Sequence, residues 1–124
     1  MPVRSTIALV VALGALLALP GVASARSCPA YRVHLIQNDV LVGAQQVSGM
    51  RCKTVRTAIR RAAERWAGIP MSRFEPERLR PGRVVLICAT TTDPGRAWVT
   101  RSTCRRGPLR VSFTAAAVVA GASG

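Results

Sequence analysis

Four cysteines carry the most definite chemistry in this sequence: Cys28, Cys52, Cys88 and Cys104. No two of them form a Cys-x-x-Cys pair, and an even number of cysteines in a short chain with an export signal, described below, is typical of disulfide bonds. We therefore predict two disulfides and no free thiol. Loop entropy favours the short pairings Cys28–Cys52 and Cys88–Cys104. A bond from Cys52 to a cysteine of the sheet would join helix to sheet, so the sequence leaves three connectivities open.

Few other residues have catalytic potential. A hydrolase triad needs a nucleophile, a base and an orienting acid, but His34 is the only histidine, and Asp39 and Asp93 each fall in a turn signal. Glu75 and Glu77 share one proline-rich segment, where they suit local arginines better than the opposed carboxylates of a glycosidase. No glycine-rich phosphate loop occurs. We expect no enzymatic activity, no catalytic residue, no cofactor and no bound metal.

The N-terminal residues have the parts of an export signal. Arg4 supplies a positive charge, Ile7–Leu19 is an uninterrupted apolar run, and a small-x-small pattern ends at Ala25. We predict cleavage near Ala25 and a secreted or extracytoplasmic location in the cell envelope. The alternative is a retained membrane anchor, but the apolar run is shorter than the roughly 20 residues that span a bilayer. We expect no transmembrane span after cleavage.

The predicted cleavage site and the residue composition divide the sequence into three segments. Residues 1–25 are the predicted signal peptide, 26–114 one small disulfide-stabilised domain, and 115–124 a flexible C-terminal tail. A domain of this size gains only marginal stability from its core, so two disulfides at about 2–4 kcal/mol each are significant. The net charge of the chain is +13, almost all of it from arginine. Because GC-rich coding produces the same bias, arginine alone does not indicate phosphate recognition.

The clearest structural signal is an amphipathic helix predicted over Ser48–Gly68. Ser48 is a suitable N-cap, Gly68 is a suitable C-terminal cap, and Pro70 prevents continuation. Apolar residues recur at three- and four-residue steps and define a buried face: Cys52, Val55, Ile59, Ala62, Ala63 and Trp66. The basic residues on the remaining surface are the candidate anion-binding site: Arg51, Lys53, Arg56, Arg60, Arg61 and Arg65.

Alternating or apolar runs predict five strands: Tyr31–Gln37, Val40–Val47, Arg83–Thr90, Arg96–Thr103 and Leu109–Thr114. Gly43 indicates a bulge, and the first two strands could form a hairpin; the alternative is that the segment from Val40 onward is a loop leading to the helix. The last three form an antiparallel meander, in which Arg83–Thr90 is apolar on both faces and takes a central position. Residues 69–82 are expected to form a loop with a short helical turn at Glu75–Leu79. The predicted fold class is α+β, with one amphipathic helix packed on a small antiparallel sheet and two disulfides.

Several short motifs extend this pattern: Gly49 with Cys52, Ala58–Ala63, Cys88, Cys104 with Gly107, and Phe113. Together with the export signal and the early cysteine, they resemble a diffuse group of small exported, disulfide-containing proteins from GC-rich bacteria. Leu86 and Ile87 stand where that group has a glycine and an aromatic residue. The function of the group is unassigned, so the resemblance implies an export route and a scaffold and no activity.

The positive charge favours an anionic partner. We expect a binding module for anionic cell-wall polymers or a membrane surface, acting through the basic helix face, although coding bias alone could produce the same solvated surface. Nucleic acid is not an expected partner, because the chain is exported and has few aromatic residues free to stack on bases. A membrane surface fits less well, because the apolar side of the helix suits close packing on a sheet.

Inhibition of a secreted protease is the alternative function. Thr90–Arg96 and Arg105–Arg106 could each form a rigid exposed loop near a disulfide, which suits substrate-like inhibition by preorganisation. No residue marks a particular reactive bond, and the sequence does not indicate an oligomeric state.

Overall fold

The computed structural model describes residues 25–36, 38–66 and 73–119. Residues 1–24 of the predicted signal peptide and the predicted helix-terminating residues Gly68 and Pro70 lie outside this part, so those expectations stay predictions. The described residues form one helix and seven strands, in chain order β1 (Arg26–Cys28), β2 (Tyr31–His34), β3 (Asn38–Ser48), α1 (Cys52–Trp66), β4 (Arg78–Leu79), β5 (Leu86–Asp93), β6 (Arg96–Arg106) and β7 (Leu109–Val119).

All strand pairs are antiparallel and belong to one curled sheet in the order β1–β3–β7–β6–β5–β4. Strand β2 also pairs with β3, next to β1, so the two short strands share one edge of β3. Helix α1 contacts β3 and β4. The α+β prediction is right in outline, since one helix packs on an antiparallel sheet. The sheet is not small, because its seven strands make this a mostly β fold.

The core lies between α1 and the inner face of the sheet. The predicted apolar face of the helix is confirmed, and Val55, Ile59 and Ala63 are at most 1% exposed. Phe113 of β7 and Phe74, which precedes β4, complete the core from the sheet side. The Phe74 ring packs edge-on against Trp66, with 5.7 Å between the ring centroids.

Both predicted disulfides are present, and their connectivity is Cys28–Cys52 and Cys88–Cys104. The first joins β1 to the first residue of α1, with the two Cα atoms 5.7 Å apart. It is the short pairing that loop entropy favours and also a bond between helix and sheet, because Cys28 belongs to the sheet. The second joins directly opposed residues of β5 and β6.

The helix begins at Cys52, so the prediction of Ser48 as the N-cap is wrong. Ser48 is the last residue of β3 and pairs with Arg110 of β7. Gly49 follows with a φ of 77°, and a Cβ atom there would lie 2.7 Å from Leu109 Cδ2, so the turn requires glycine. The carbonyl of Arg51 accepts from the Val55 N–H at 3.2 Å, which makes Arg51 the N-cap.

Strand β7 continues to Val119, well into the segment that was predicted to be a flexible tail from residue 115. Residues 115–119 pair with residues 38–42 of β3, and Ala115 is 2% exposed. The uncharged, small side chains that suggested a frayed end instead allow the strand to lie against its neighbours. Residues 120–124 lie outside the described part of the chain.

The region before β5 also differs from the prediction. No helical turn forms at Glu75–Leu79, because Arg78–Leu79 is strand β4 and pairs with the start of β5. Strand β5 begins at Leu86, after a turn in which Val84 donates to the Pro81 carbonyl at 3.3 Å. The predicted central position of this strand is wrong. Its outer neighbour, β4, has only two residues, and Ile87 is 59% exposed.

Candidate functional site

The basic residues predicted to bind anions all have exposed side chains, but they do not form one face. Arg51 precedes α1. At about 100° per residue, the others lie on two flanks of the helix: Lys53, Arg56 and Arg60 on one, and Arg61 and Arg65 on the other. Thr57 and Glu64 lie between the two groups. We refer to Lys53, Arg56 and Arg60 as the Lys53 flank.

Acidic side chains neutralise little of the Lys53 flank. Arg60 pairs with Glu64 at 3.8 Å, but both side chains are more than half exposed, so the pair contributes little. Among the described residues, no acid lies within ion-pair distance of Lys53 or Arg56. The first turn of α1 also contains no acidic residue. This end of the helix therefore keeps its positive charge.

The Lys53 flank borders a cleft of about 200 Å³ between α1 and the N-terminal strands. Residues from four elements line it: Cys28, Tyr31, Gln45, Cys52, Lys53 and Arg56. The Cys28–Cys52 disulfide holds β1 against the first turn of α1. The guanidinium carbon of Arg56 lies 4.7 Å from the centroid of the Tyr31 ring, so a cation–π contact fixes the opposite wall. We refer to this space as the Gln45 cleft.

A β-bulge turns Gln45 toward the cleft. The β3–β7 register moves from Gly43↔Thr114 directly to Gln46↔Ser112, so an extra residue of β3 faces β7. At the bulge, Ala44 has a φ of 48° in the left-handed region. A bulge of this kind reverses the side-chain alternation. The side chain of Gln45 therefore lies on the same buried side of the sheet as that of Val42, whereas an uninterrupted strand would direct Gln45 outward.

Two residues that line the Gln45 cleft contain polar atoms that are buried from solvent and have no hydrogen-bond partner among the described residues: Gln45 Nε2, Gln45 Oε1 and Tyr31 Oη. Gln45 is only 1% exposed. A buried polar group without a partner costs on the order of 1–3 kcal/mol. Burial also raises the pKa of the Tyr31 phenol, and the Arg56 charge lowers it in part. The Tyr31 hydroxyl therefore stays protonated near neutral pH and can donate a hydrogen bond.

The N-terminus of α1 adds further positive potential beside the cleft. Its N-cap, Arg51, has no side-chain acceptor, and no described side chain accepts from the first-turn N–H groups. Arg51 also lines a second cleft, of about 320 Å³, together with Arg26. Unpaired N–H groups and cations at a helix N-terminus favour a negatively charged ligand.

His34 and Asp39 face each other across the β2–β3 hairpin. Asp39 is 2% exposed, and its carboxylate pairs with Arg32 at 3.2 Å and with His34 Nδ1 at 3.4 Å. Among the described residues, no serine, threonine or cysteine side chain hydrogen-bonds to His34. The cluster thus pairs a histidine with an acid, but no described nucleophile contacts the histidine. Its ion pairs link β2 to β3.

The outer face of the sheet carries a second basic surface, which was not predicted from the sequence. One row of opposed residues crosses four strands: Arg78, Ile87, Arg105 and Arg110. Arg101 lies on the same face, because Arg101, Thr103 and Arg105 are alternate residues of β6. The arginines of this surface are all exposed. The sequence pattern of β7 indicates part of this surface, because Leu109, Val111 and Phe113 point inward and Arg110 must therefore point outward.

The segments predicted as inhibitor loops are tight hairpins. Asp93 and Arg96 are opposed residues of β5 and β6, separated by the turn at Pro94–Gly95. The Gly95 N–H donates to Asp93 Oδ1 at 3.0 Å. This bond is the main cause of a lowered pKa for the Asp93 carboxyl, to which Arg96 contributes. Arg105–Arg106 likewise ends β6 before a short turn.

Within residues 25–36, 38–66 and 73–119, no group of three histidine, cysteine or acidic side chains is placed to hold a metal ion. No helix in the same part of the chain is long and apolar enough to cross a membrane. Comparison with protein-family models, with curated proteins and with solved structures gives no match. The resemblance to small exported bacterial proteins therefore stays a prediction.

Proposed function

We propose that this chain is an exported, non-enzymatic binding module that holds anionic polymers of the cell envelope or extracellular space on the Lys53 flank. One observation supports the choice of this surface above the others. Lys53 and Arg56 have no acidic partner among the described residues, and both border a cleft between α1 and the N-terminal strands.

A polymer suits this surface better than a membrane. A helix that lies on a bilayer inserts its apolar side, but the apolar side of α1 is buried against the sheet, where Val55 is 1% and Ile59 0% exposed. The cations alone would face the headgroups. Extended polyanions can instead be held by separate cations along the flank.

Two disulfides fit an oxidising, extracellular location. Export by signal-peptide cleavage near Ala25 is part of the proposal. N-terminal sequencing and intact mass of the secreted protein should give a chain that starts at Arg26 and contains two closed disulfides. A secreted chain that starts at Met1 would contradict the predicted cleavage.

The binding proposal is tested by retention of the oxidised protein on immobilised heparin and on purified anionic wall polymer. The triple variant Lys53→Gln, Arg56→Gln and Arg60→Gln should elute at clearly lower salt than wild type. Its matched control is Arg101→Gln, Arg105→Gln and Arg110→Gln, which removes the same charge from the outer face of the sheet. We expect the control to elute close to wild type.

Equal shifts for both triple variants would mean that net charge alone causes retention, and this outcome would overturn the proposed site. Vesicles with and without anionic lipid provide the membrane comparison. Strong binding to anionic vesicles in preference to wall polymer would likewise contradict the proposal.

Protease inhibition stays an untested alternative. The turn at Pro94–Gly95 connects opposed ladder residues, whereas a substrate-like inhibitor presents an extended segment to the protease. Equimolar protein should therefore leave a trypsin-like protease fully active, and a stoichiometric loss of protease activity would favour the inhibitor function.

A further inference from the structure

A cleft of about 430 Å³ lies between the C-terminal half of α1 and the segment that leads into β4. Its volume is within the range of about 300–1,000 Å³ for sites that enclose a small molecule. The cleft lies on the Arg65 side of the helix, and its described lining differs entirely from that of the Gln45 cleft beside the Lys53 flank. We refer to it as the Trp66 cleft. Its lining includes Arg65, Trp66, Phe74, Glu75, Glu77 and Arg78.

Trp66 gives this cleft an aromatic surface that the core holds in place. Its indole packs edge-on against Phe74, with 5.7 Å between the ring centroids and 65° between the ring planes. Phe74 is 2% exposed, and its ring centroid lies 6.5 Å from that of Phe113 in the core. Trp66 itself is only partly buried, so the rest of its surface is accessible to a ligand. A ring fixed on one side and open on the other is suited to stacking.

The facing wall is held in place by two hydrogen bonds to its backbone. The Phe74 carbonyl accepts from Thr100 Oγ1 at 2.9 Å, and the Glu77 carbonyl accepts from the Cys88 N–H at 2.9 Å. These bonds fix both ends of the segment 74–77 on the sheet. A ligand therefore meets a wall that is already formed, and little binding free energy is lost in ordering it.

The charged side chains around the Trp66 cleft do not pair with one another. The sequence suggested local arginines as partners for Glu75 and Glu77, but no described basic side chain lies within ion-pair distance of either carboxylate. Arg65 and Arg78 likewise have no acidic partner within the described part of the chain. All four side chains are exposed. They therefore present accessible acceptors, from the carboxylates, and accessible donors, from the guanidiniums.

The chemistry of this lining favours an uncharged ligand. Its two carboxylates and two guanidiniums cancel in formal charge, in a chain whose net charge is +13. The carboxylates repel an anionic polymer, and the guanidiniums repel a cation. A hydroxyl group, in contrast, donates to a carboxylate or accepts from a guanidinium without carrying charge. A sugar ring combines several hydroxyls at its edge with an apolar C–H face that stacks on an indole.

We propose that the Trp66 cleft binds a neutral saccharide, with one sugar ring stacked on Trp66 and its hydroxyls donating to Glu75 and Glu77. The guanidiniums of Arg65 and Arg78 donate to other hydroxyl oxygens of the same ligand. This inference goes beyond the proposed function, because the cleft is separate from the Lys53 flank and takes an uncharged ligand.

The test titrates the oxidised protein with maltose, cellobiose and N,N′-diacetylchitobiose and follows the indole N–H signals by NMR. The sequence contains two tryptophans, and Trp98→Phe assigns their signals. At least one disaccharide should shift the Trp66 signal saturably. The Trp98 signal should not move, because Trp98 is not among the described residues that line the cleft. Sorbitol, which has hydroxyls but no ring face, should bind about tenfold more weakly.

The double variant Glu75→Gln and Glu77→Gln is the key variant, because both side chains are exposed and the change keeps their shape. It should stay folded and bind the preferred disaccharide about tenfold more weakly, since hydrogen bonds to charged acceptors are the stronger ones. Glu64→Gln is the matched control, as it removes an exposed acid of α1 outside the cleft. Trp66→Phe keeps a ring against Phe74 but reduces the stacking surface, and should weaken binding about threefold or more.

Equal affinity of the double variant and Glu64→Gln would overturn the inference, as would the absence of any disaccharide that binds more tightly than sorbitol. Glycylglycine and glucuronic acid are the zwitterionic and anionic probes, and tighter binding of either than of every disaccharide would also overturn it.

The heparin and wall-polymer experiment is independent of these results, because its Lys53-flank variant leaves the Trp66 cleft intact. Retention that does not depend on the flank would overturn the proposed function only. Absence of a disaccharide preference would overturn the saccharide site only.

Discussion

The guanidinium carbon of Arg56 lies 4.7 Å from the centroid of the Tyr31 ring, and this contact joins α1 to β2 at the mouth of the Gln45 cleft. Arg56→Ala should lower the free energy of unfolding by about 0.5–1 kcal/mol, the usual range for an exposed cation–π contact. Urea denaturation measures this difference. In a double-mutant cycle, Arg56→Ala should cost less in a Tyr31→Leu background, because the ring is then absent. Arg60→Ala is the control, with a change within about 0.5 kcal/mol.

Tyr31 should make stability depend on alkaline pH. Burial raises the pKa of its phenol in the folded state, an effect that the Arg56 charge partly offsets. The folded protein therefore retains the phenolic proton at a pH where the unfolded chain releases it. The contribution is complete below the unfolded pKa of about 10 and is lost as pH rises above that value. Urea midpoints at about pH 8 and 11 should fall more for wild type than for Tyr31→Phe, and parallel falls would contradict this assignment.

Thr100 should stabilise the fold through a buried hydroxyl that has two carbonyl acceptors, of which that of Ala115 is the more distant at 3.4 Å. Its Oγ1 donates to the Phe74 carbonyl at 2.9 Å, and Thr100 is 1% exposed. Thr100→Val keeps the volume and removes the donor, so the free energy of unfolding should fall by about 1–3 kcal/mol. Thr100→Ser keeps the donor and loses one methyl group, at a cost of about 1 kcal/mol. A valine variant more stable than the serine variant would show that the bond does not stabilise the fold.

Alanine substitutions at two glycines distinguish the cost of backbone strain from the cost of a steric clash. Gly49 and Gly82 both have positive φ, at 77° and 65°, but only Gly49 has an atom close to the added Cβ, Leu109 Cδ2 at 2.7 Å. Gly82→Ala should cost about 1–2 kcal/mol for the left-handed conformation alone. Gly49→Ala should cost about 1–3 kcal/mol more, because Leu109 must move. Equal thermal shifts for both variants would mean that Leu109 relocates freely.

The sequence predicted those features that depend on local periodicity. The buried face of α1 follows from the spacing of Val55, Ile59 and Ala63 along the helix, and the hairpin turn at Pro94–Gly95 follows from its residue types. The features it failed to predict depend on distant partners. Ser48 has the chemistry of an N-cap, yet it pairs with Arg110 of β7, and this pairing outweighs the local preference.

The candidate site also combines features that local sequence predicts with features that depend on distant partners. Lys53, Arg56 and Arg60 were predicted as basic helix residues, but the cleft that Lys53 and Arg56 border depends on the position of α1 beside the N-terminal strands. Gln45 was not predicted at all. Gly43 indicated a bulge, but only the register against Ser112 of β7 determines which residue the bulge turns inward.

The connectivity of the two disulfides has a consequence for oxidative folding. Cys28 bonds to Cys52, and Cys88 bonds to Cys104, so each cysteine pairs with its immediate neighbour in the sequence. In a chain that crosses a membrane from its N-terminus, the first two cysteines reach the oxidant before the last two. Pairing in order of arrival gives the native bonds directly, so we predict that an exported form of this protein matures with an oxidase and without a disulfide isomerase.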